Sequence, residues 1–330
     1  MSSPDSHLKV EPDLHWADLG GHEQLLVTGA DAVTFVENFT TAKVSDLVPG
    51  SGCEGFFCDA RGWVIDLVLI RRTNDGLLLR VGPGRAALLR SHLDRYHIRE
   101  DLEFLEQSQG LRSLLVSGAA AAHWLEQHFD QHLPVAQADF SEGFLSATAE
   151  VGATSVPVRL TLIDWYGQGG FLVETTAGDQ LVAAFTTARL PQASTETVLG
   201  QRLRRGWPLA DDIPEKTLPQ ELGLEGRAIC FNKGCYLGQE TVARLDALGH
   251  VNRRLMLLSV AGEEPVAPGA AVVSGDTQVA AITSSAAAME ESGWLALAIL
   301  PLKIATGQSL TVAGRPAKLL RFATEEGSSE

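Results

Sequence analysis

The chain is poor in cysteine, in aromatic residues and in basic charge, and it has no long apolar run. Four cysteines in 330 residues are too few for a disulfide scaffold. The longest apolar stretch, GWLALAILPL at residues 293–302, falls well short of the roughly 20 residues that cross a bilayer. The opening MSSPDSHLKVEPDLHW has neither the apolar core of a secretory signal nor the arginine-rich pattern of an organellar presequence. The expectation is a reducing cytoplasm, no membrane association, and thiols available for chemistry. Lysine and arginine number 26 against 41 acidic residues, a formal charge of −15. Such a field does not draw the chain to nucleic acid or to an anionic membrane, although a local basic pocket could still hold an anionic small molecule. With 45% hydrophobic and 20% charged residues, the chain reads as folded, and it is long enough for two or three domains.

Periodicity supplies the organisation. LLVTGADAVTFVENF at residues 25–39 reads as strand, glycine turn and helix, with Asp31 as a candidate cap and Val33, Phe35, Val36 and Phe39 on one helical stripe. LLVSGAAAAHWLEQHF at residues 114–129 repeats the phrase: Gly29 to Gly118 and Glu37 to Glu126 are both offsets of 89. Two similar units, each burying a helix against a sheet, are expected; chance likeness between two amphipathic segments is the alternative. WVIDLVLI, RRTNDG and LLLRV at residues 63–81 read as a hairpin closed by Asn-Asp-Gly, followed by a helix over residues 87–98. VRLTLIDW and GGFLVETT after Pro157 form a second hairpin, with a helix over residues 180–190. After Arg253, short apolar runs punctuated by glycine, proline and acidic turns fit a small β-barrel, and residues 324–330 read as an acidic tail.

One segment carries unusual chemistry: AICFNKGCYLGQETVAR, residues 228–244. In an extended piece Lys233 and Cys235 share a face, and a nearby ammonium favours the thiolate. Gly234 and Gly238 allow close backbone approach or positive φ. Tyr236 can stack on a flat ring, and Gln239 and Glu240 add hydrogen-bonding groups suited to a polar aromatic ligand. The plainer reading packs Cys235 in a core and leaves the glycines to shape a turn. The spacing of Cys53, Cys58, Cys230 and Cys235 does not make a zinc site, and a four-thiolate cluster is not required by it. His123, His128 and His132 fit a helix face better than a metal site.

KGCYLGQE at residues 233–240 resembles the signature of the YgfZ family of folate-binding proteins, relatives of the aminomethyltransferase (T-protein) of glycine cleavage. RLRRGWP at residues 202–208, DIPEKTLPQE at 212–221, GHVNRRL at 249–255 and FFCDARGWVIDLVL from Phe56 extend the likeness over most of residues 25–320. The resemblance implies an α+β, aminomethyltransferase-like (GcvT-like) multidomain fold with a central folate channel and a C-terminal β-barrel domain. The boundaries expected are 1–105 for an N-terminal α/β folate-binding domain completed by later segments, 106–252 for a second α/β domain with the signature, and 253–325 for the barrel. It implies tetrahydrofolate or another reduced folate as cofactor, and iron–sulfur apoproteins or assembly factors as partners, including enzymes that modify transfer RNA. Cys235 becomes the functional thiol, a transient cluster ligand with no permanent metal. Asp66, Arg202, Lys233, Tyr236, Gln239 and Glu240 become cofactor-binding, with Gly234 and Gly238 structural.

Two departures separate the chain from the T-protein branch. Arg61-Gly62 and Ile65-Asp66 stand where that branch has a double glycine and paired acidic residues, and Arg204 stands where it tends to have an acid. A folate-dependent aminomethyl or other one-carbon transferase is therefore the rival reading, and a folate-sensing scaffold without turnover is a third. Asp66 could face solvent on its hairpin, Arg204 and Arg205 suit a solvated helix face, and Trp63, Trp124 and Trp207 suit packing more than substrate stacking.

Overall fold

The computed structural model describes residues 13–129, 145–167, 169–248, 251–288, 292–304 and 309–322. His132, residues 249–250 of the GHVNRRL segment, residues 324–330 and the first twelve residues lie outside them.

The first half runs β1 (His15–Asp18), β2 (Glu23–Thr28), α1 (Ala32–Glu37), β3 (Gly52–Cys58), β4 (Val64–Arg72), β5 (Gly76–Val81), α2 (Ala86–Asp94) and β6 (Glu103–Glu106). The second runs β7 (Arg112–Ser117), α3 (Ala121–His128), β8 (Leu145–Val151), β9 (Thr154–Ile163), β10 (Gly170–Thr175) and α4 (Gly178–Thr187). Two antiparallel five-stranded sheets result, ordered β3-β4-β5-β2-β6 and β8-β9-β10-β7-β1. The orders are equivalent, strand for strand, except that the fifth strand of the second sheet comes from the chain's start. The offset of 89 maps β2 onto β7 and the first residue of α1 onto that of α3. Each half packs its own helices over one sheet face, with Phe35, Leu89 and Leu93 filling the first core and Leu125, Leu181 and Phe185 the second.

The paired glycines have a physical reason. Gly29 adopts φ +119°, and a Cβ there would lie 2.3 Å from the carbonyl oxygen of Asp101; Gly118 adopts φ +117°, and a Cβ would lie 2.4 Å from that of Asp13. In each half the strand-to-helix turn passes directly against the backbone leading to or from the fifth strand. Gly29→Ala is expected to cost on the order of 3 kcal/mol, read as a lower urea midpoint at unchanged m-value; an unchanged midpoint would show that the 101–102 backbone gives way freely. Asp31 begins α1, but its carboxylate accepts from the Asp101 N–H at 2.8 Å and does not cap its own helix.

A linker follows, with α5 (Thr195–Arg205), α6 (Glu225–Ala228) and α7 (Gln239–Leu248). Helix α5 starts on a Ser194 cap and stops at Gly206 in the left-handed conformation, as its sequence leads one to expect. Strands β11 (Arg253–Val260), β12 (Ala271–Ser274), β13 (Thr277–Ala287), β14 (Trp294–Pro301), β15 (Leu310–Val312) and β16 (Arg315–Phe322) close a barrel, which removes every exposed sheet edge from that unit. A third cluster, including Phe56, Leu115, Trp165, Trp207 and Leu257, joins both halves, linker and barrel. No helix among the described residues is long and apolar enough to cross a membrane.

Candidate functional site

The β1–β2 connection, β4, the end of β5, the β9–β10 turn and the segment after α5 converge on a cavity of about 300 Å³. Asp66 lies near the start of β4 and lines the cavity together with Leu67 and Leu69, although by alternation it belongs to the face of Val68 and Ile70. The side chain is 3% exposed; its Oδ1 accepts from the Leu67 N–H at 3.0 Å and its Oδ2 from Arg85 Nε at 3.3 Å. Burial pushes its pKa up to about 6, and the Arg85 charge and the Leu67 N–H only partly oppose it. A buried carboxyl that titrates this close to neutrality is a typical property of a functional site.

One wall is aromatic. Trp165 and Trp207 stack with centroids 4.9 Å apart and planes 10° from parallel, and both line the cavity. Trp165 Nε1 donates to Glu54 Oε1 at 2.8 Å. Arg227 binds Glu54 through two nitrogens and Asp164 at 2.7 Å, and its guanidinium lies 4.7 Å from the Trp207 ring. Burial alone would neutralise Glu54; the Arg227 and Trp165 donors work against that. Trp207 thus packs and lines the cavity at once.

The inner end is charged. Sequence alignment of GLLLRV in β5 with GFLVET in β10 sets Arg80 opposite Glu174 in the repeat (170 − 76 = 174 − 80 = 94). In space these two residues meet: Arg80 Nε donates to Glu174 Oε1 at 2.9 Å, and Arg71 Nη1 to Glu174 Oε2 at 2.5 Å. Gln24 joins Oε1 at 3.1 Å, and Arg71 Nη2 reaches Thr161 at 2.7 Å. The two sheets therefore face each other through a buried polar layer. Burial would raise Glu174, but Arg71 and Arg80 hold it down at about 2. Among the described residues, Arg80 Nη2 and His22 Nδ1 have no hydrogen-bond partner, and both side chains line the cavity. Burial, reinforced by the Arg80 charge, pulls His22 down to about 3, so its ring is neutral at physiological pH.

Arg202 does not line this cavity. It is 2% exposed and donates through Nη1 to the Trp207 carbonyl at 2.7 Å and to Asp212 Oδ2 at 2.6 Å. Asp212 also accepts from the Leu209 N–H at 3.0 Å and from Thr283 of β13 at 2.6 Å. Arg202 therefore holds in place the 207–211 segment that walls the cavity, and ties it to the barrel. Arg204 and Arg205 are half-buried, Arg205 donating to the Asp164 carbonyl at 3.2 Å.

The signature loop is a separate centre, and its residues are not among those lining the cavity. Lys233 is buried, with Nζ donating to the carbonyls of Glu37, Thr40 and Ala42 at 2.7, 2.9 and 2.6 Å and lying 3.4 Å from Glu37 Oε1. Its charge closes the C-terminal end of α1, where free carbonyls attract a cation. Tyr236 is buried beneath it, 5.3 Å from ring centroid to Nζ, and burial raises its phenol. Cys235, in contrast, is exposed, so ammonium and thiol part company. Gly238, at φ +84°, would place a Cβ 2.6 Å from the Asp59 carbonyl; the close approach it permits is to the β3–β4 turn. Gly234 has open space around it. Gln239 is half-buried and Glu240 exposed, both in the first turn of α7. The loop is thus clamped from beneath and presents Cys235 outward.

Cys58 is buried, and burial pushes the Cys53 thiol up to about 12, where it stays protonated. Among the described residues no three His, Cys, Asp or Glu side chains are placed to hold a metal; His128 stacks on Trp124 and its Nδ1 contacts the Trp124 carbonyl at 2.8 Å. Sequence reasoning passed over His22, Glu54, Arg80, Trp165 and Glu174. The one available signal was a charge of opposite sign at the same place in GLLLRV and GFLVET.

Residues 3–233 match the family described as the GCVT N-terminal domain. The tRNA-modifying protein YgfZ of Aliivibrio fischeri (strain MJ11) is 26% identical over 297 residues, covering 88% of this chain and 86% of that one. The iron–sulfur cluster assembly factor IBA57 homolog, mitochondrial, of Coccidioides immitis (strain RS) is 25% identical over 335 residues, covering 88% and 73%. The crystal structure of the glycine cleavage system aminomethyltransferase T from Bartonella henselae superposes with a TM-score of 0.77 at 18% identity, over 97% of this chain and 88% of that one, a likeness of fold. With the signature loop and the two-sheet-plus-barrel architecture in place, the chain belongs to the GCVT N-terminal domain family and is related to the bacterial YgfZ family.

Proposed function

We propose that the chain binds tetrahydrofolate or another reduced folate in the cavity and supports assembly or repair of iron–sulfur enzymes, including those that modify transfer RNA, in a reducing cytoplasm. The observation that carries this reading is that the buried Asp66 carboxyl and the stacked Trp165–Trp207 pair line one cavity. A pterin is flat and apolar on its faces and rich in N–H donors and acceptors at its edges; the cavity offers the matching surfaces. Its volume lies at the lower end of ordinary ligand sites, enough for a bicyclic ring. A reduced folate, when bound, supplies nitrogens that carry one-carbon units.

Asp66, His22, Arg80 and the tryptophan wall are the ligand-holding set, with Arg202 and Glu54 positioning it. Lys233, Tyr236, Gln239 and Glu240 shape and flank the loop that offers Cys235 to an iron–sulfur apoprotein or assembly factor. One thiolate cannot hold a cluster unaided, so Cys235 acts as a transient ligand and the partner supplies the rest. A one-carbon transferase is the weaker reading, since Ile65 stands where a second acid would be and Arg85 already engages Asp66.

Calorimetric titration of the intact chain with tetrahydrofolate tests the pocket, and Cys235→Ala tests the thiol. The variant is expected to bind tetrahydrofolate within about twofold of wild type, as an exposed substitution distant from the lining should, while recovery of an iron–sulfur client's activity is lost. No saturable binding by wild type would remove the folate reading; full client recovery with Cys235→Ala would remove the thiol's role.

A further inference from the structure

The signature loop rests on one short stretch of the first half. Helix α1 ends at Glu37, and a helix leaves its last carbonyls without intrahelical partners. Here donors from the loop take them. The carbonyls of Glu37, Thr40 and Ala42 accept from Lys233 Nζ. That of Asn38 accepts from the Leu237 N–H at 2.9 Å, and that of Thr41 from the Cys230 N–H at 2.9 Å. Thr41 Oγ1 in turn donates to the Ala228 carbonyl at 2.5 Å. Residues 233–237 thus form an arch whose feet stand on the adjacent carbonyls of Glu37 and Asn38, and the exposed Cys235 is its middle residue. The arch is only as well placed as the backbone beneath it.

The Glu37 side chain holds that backbone. Its Oε2 accepts from the Val44 N–H at 2.7 Å and the Ser45 N–H at 2.9 Å, while Oε1 lies 3.4 Å from Lys233 Nζ. One carboxylate therefore joins the two ends of the 37–45 turn and balances the ammonium that the turn encloses. The side chain is 16% exposed, so little water competes for these bonds. Lys43 does not take part, since its charge goes to Asp46 at 2.8 Å. Without the Glu37 carboxylate, the turn would be ordered only by the loop that it supports.

We propose that Glu37 is a positioning residue for Cys235: its carboxylate shapes the 37–45 turn into the platform on which the 233–237 arch stands, and so fixes where the thiol meets its partner. This rests on the reading of Cys235 as the functional thiol, and it adds a residue outside the signature. Glu126, at the same place in the repeat, lies in α3 and serves as the control.

The experiment attaches a nitroxide to the exposed Cys235 of the intact chain, with the site confirmed by peptide mass, and reads its mobility from the electron paramagnetic resonance spectrum. Unlabelled protein is assayed for client recovery and for tetrahydrofolate affinity. Glu37→Ala, its fold checked by circular dichroism, is expected to shorten the label's correlation time at least about twofold. Client recovery should fall about tenfold or more, with tetrahydrofolate affinity within about twofold of wild type. Glu37→Gln keeps an oxygen for the two N–H groups, and should retain the restricted spectrum and recovery within about threefold of wild type. Glu37→Asp, whose carboxylate is drawn back from those groups, should free the label too, and it decides the matter where Glu37→Ala does not fold. Glu126→Ala should change nothing.

An unchanged spectrum in Glu37→Ala and Glu37→Asp overturns the proposal. So does a label as mobile in Glu37→Gln as in Glu37→Ala, or an equal effect of Glu126→Ala. A parallel loss of tetrahydrofolate binding would mark general damage and overturn it as well. The spectrum involves neither folate nor client, so it separates this inference from the proposed function. A client indifferent to Cys235→Ala removes the thiol's role, while a label freed by Glu37→Ala still supports the platform.

Discussion

Glu174→Leu is expected to destabilise the chain by roughly 3–5 kcal/mol, because it strips the carboxylate from two guanidiniums that cannot reach bulk water. Arg71 is 0% and Arg80 5% exposed. The measurement is urea unfolding at neutral pH. A loss under about 1 kcal/mol, the range of an exposed ion pair, would mean that the buried layer carries little of the fold. Lys43–Asp46, with side chains 42% and 67% exposed, is the internal control, and Lys43→Ala should fall in that lower range. Glu174→Gln, which keeps volume and loses only charge, should fall between. The same carboxylate sets acid sensitivity. Its folded value of about 2 lies below the ordinary 4.5, so its contribution is complete above about pH 4.5 and is lost as pH falls toward 2, on the order of 3 kcal/mol across that window.

Asp66→Asn is expected to weaken tetrahydrofolate binding at pH 7.5 by about tenfold to a hundredfold, the worth of a hydrogen bond to a charged acceptor. The pH profile distinguishes this from a packing loss. Asp66 titrates at about 6 in the free cavity, and only its ionised form accepts from ligand N–H groups at both oxygens. Wild-type affinity should be at its full value above about pH 7 and fall below pH 6, with proton release on binding between. Asp66→Asn should show a flat profile. His22, titrating near 3, does not contribute in this range, although it faces the same cavity, as do Arg80, Arg85 and the exposed Asp211. A wild-type profile flat between pH 5 and 8 would remove Asp66 from the ligand contacts. For the free protein the sign is opposite to that of Glu174: a raised carboxyl stabilises fully below about pH 4, and that contribution is lost as pH rises through 6.

Much of the architecture was legible because it is local. The Asn-Asp-Gly turn closes β4 on β5, with the Thr73 N–H reaching the Gly76 carbonyl at 2.9 Å. The β-rich runs after Arg253 do close into a barrel. The helix expected over residues 87–98 ends earlier, at Asp94, because the chain turns back toward β6 and the residues after it serve that turn: the His97 ring contacts the Glu100 carbonyl at 3.0 Å. The site was legible only in part. Asp66 stood out through the family pattern, and the structure turns it inward, 3% exposed. Arg202 and Lys233 stood out for the same reason, yet each spends its charge on backbone carbonyls and one neighbouring acid. A motif records which residues must be present; it does not distinguish a ligand contact from a clamp.

The linear order of residues was enough to decide the repeat, the hairpins, the barrel and the existence of a special loop around Cys235, since periodicity, turn chemistry and short-range spacing act within a few residues of one another. It could not decide where the charges go. In an isolated sheet Arg80 and Glu174 would alternate outward to water, as polar residues of half-buried strands do. They are buried because two similar sheets meet face to face and bring positions 94 residues apart within 2.9 Å. Only that meeting excludes water, creates the demand for opposite charge, and leaves His22 and Arg80 with bonds still to make.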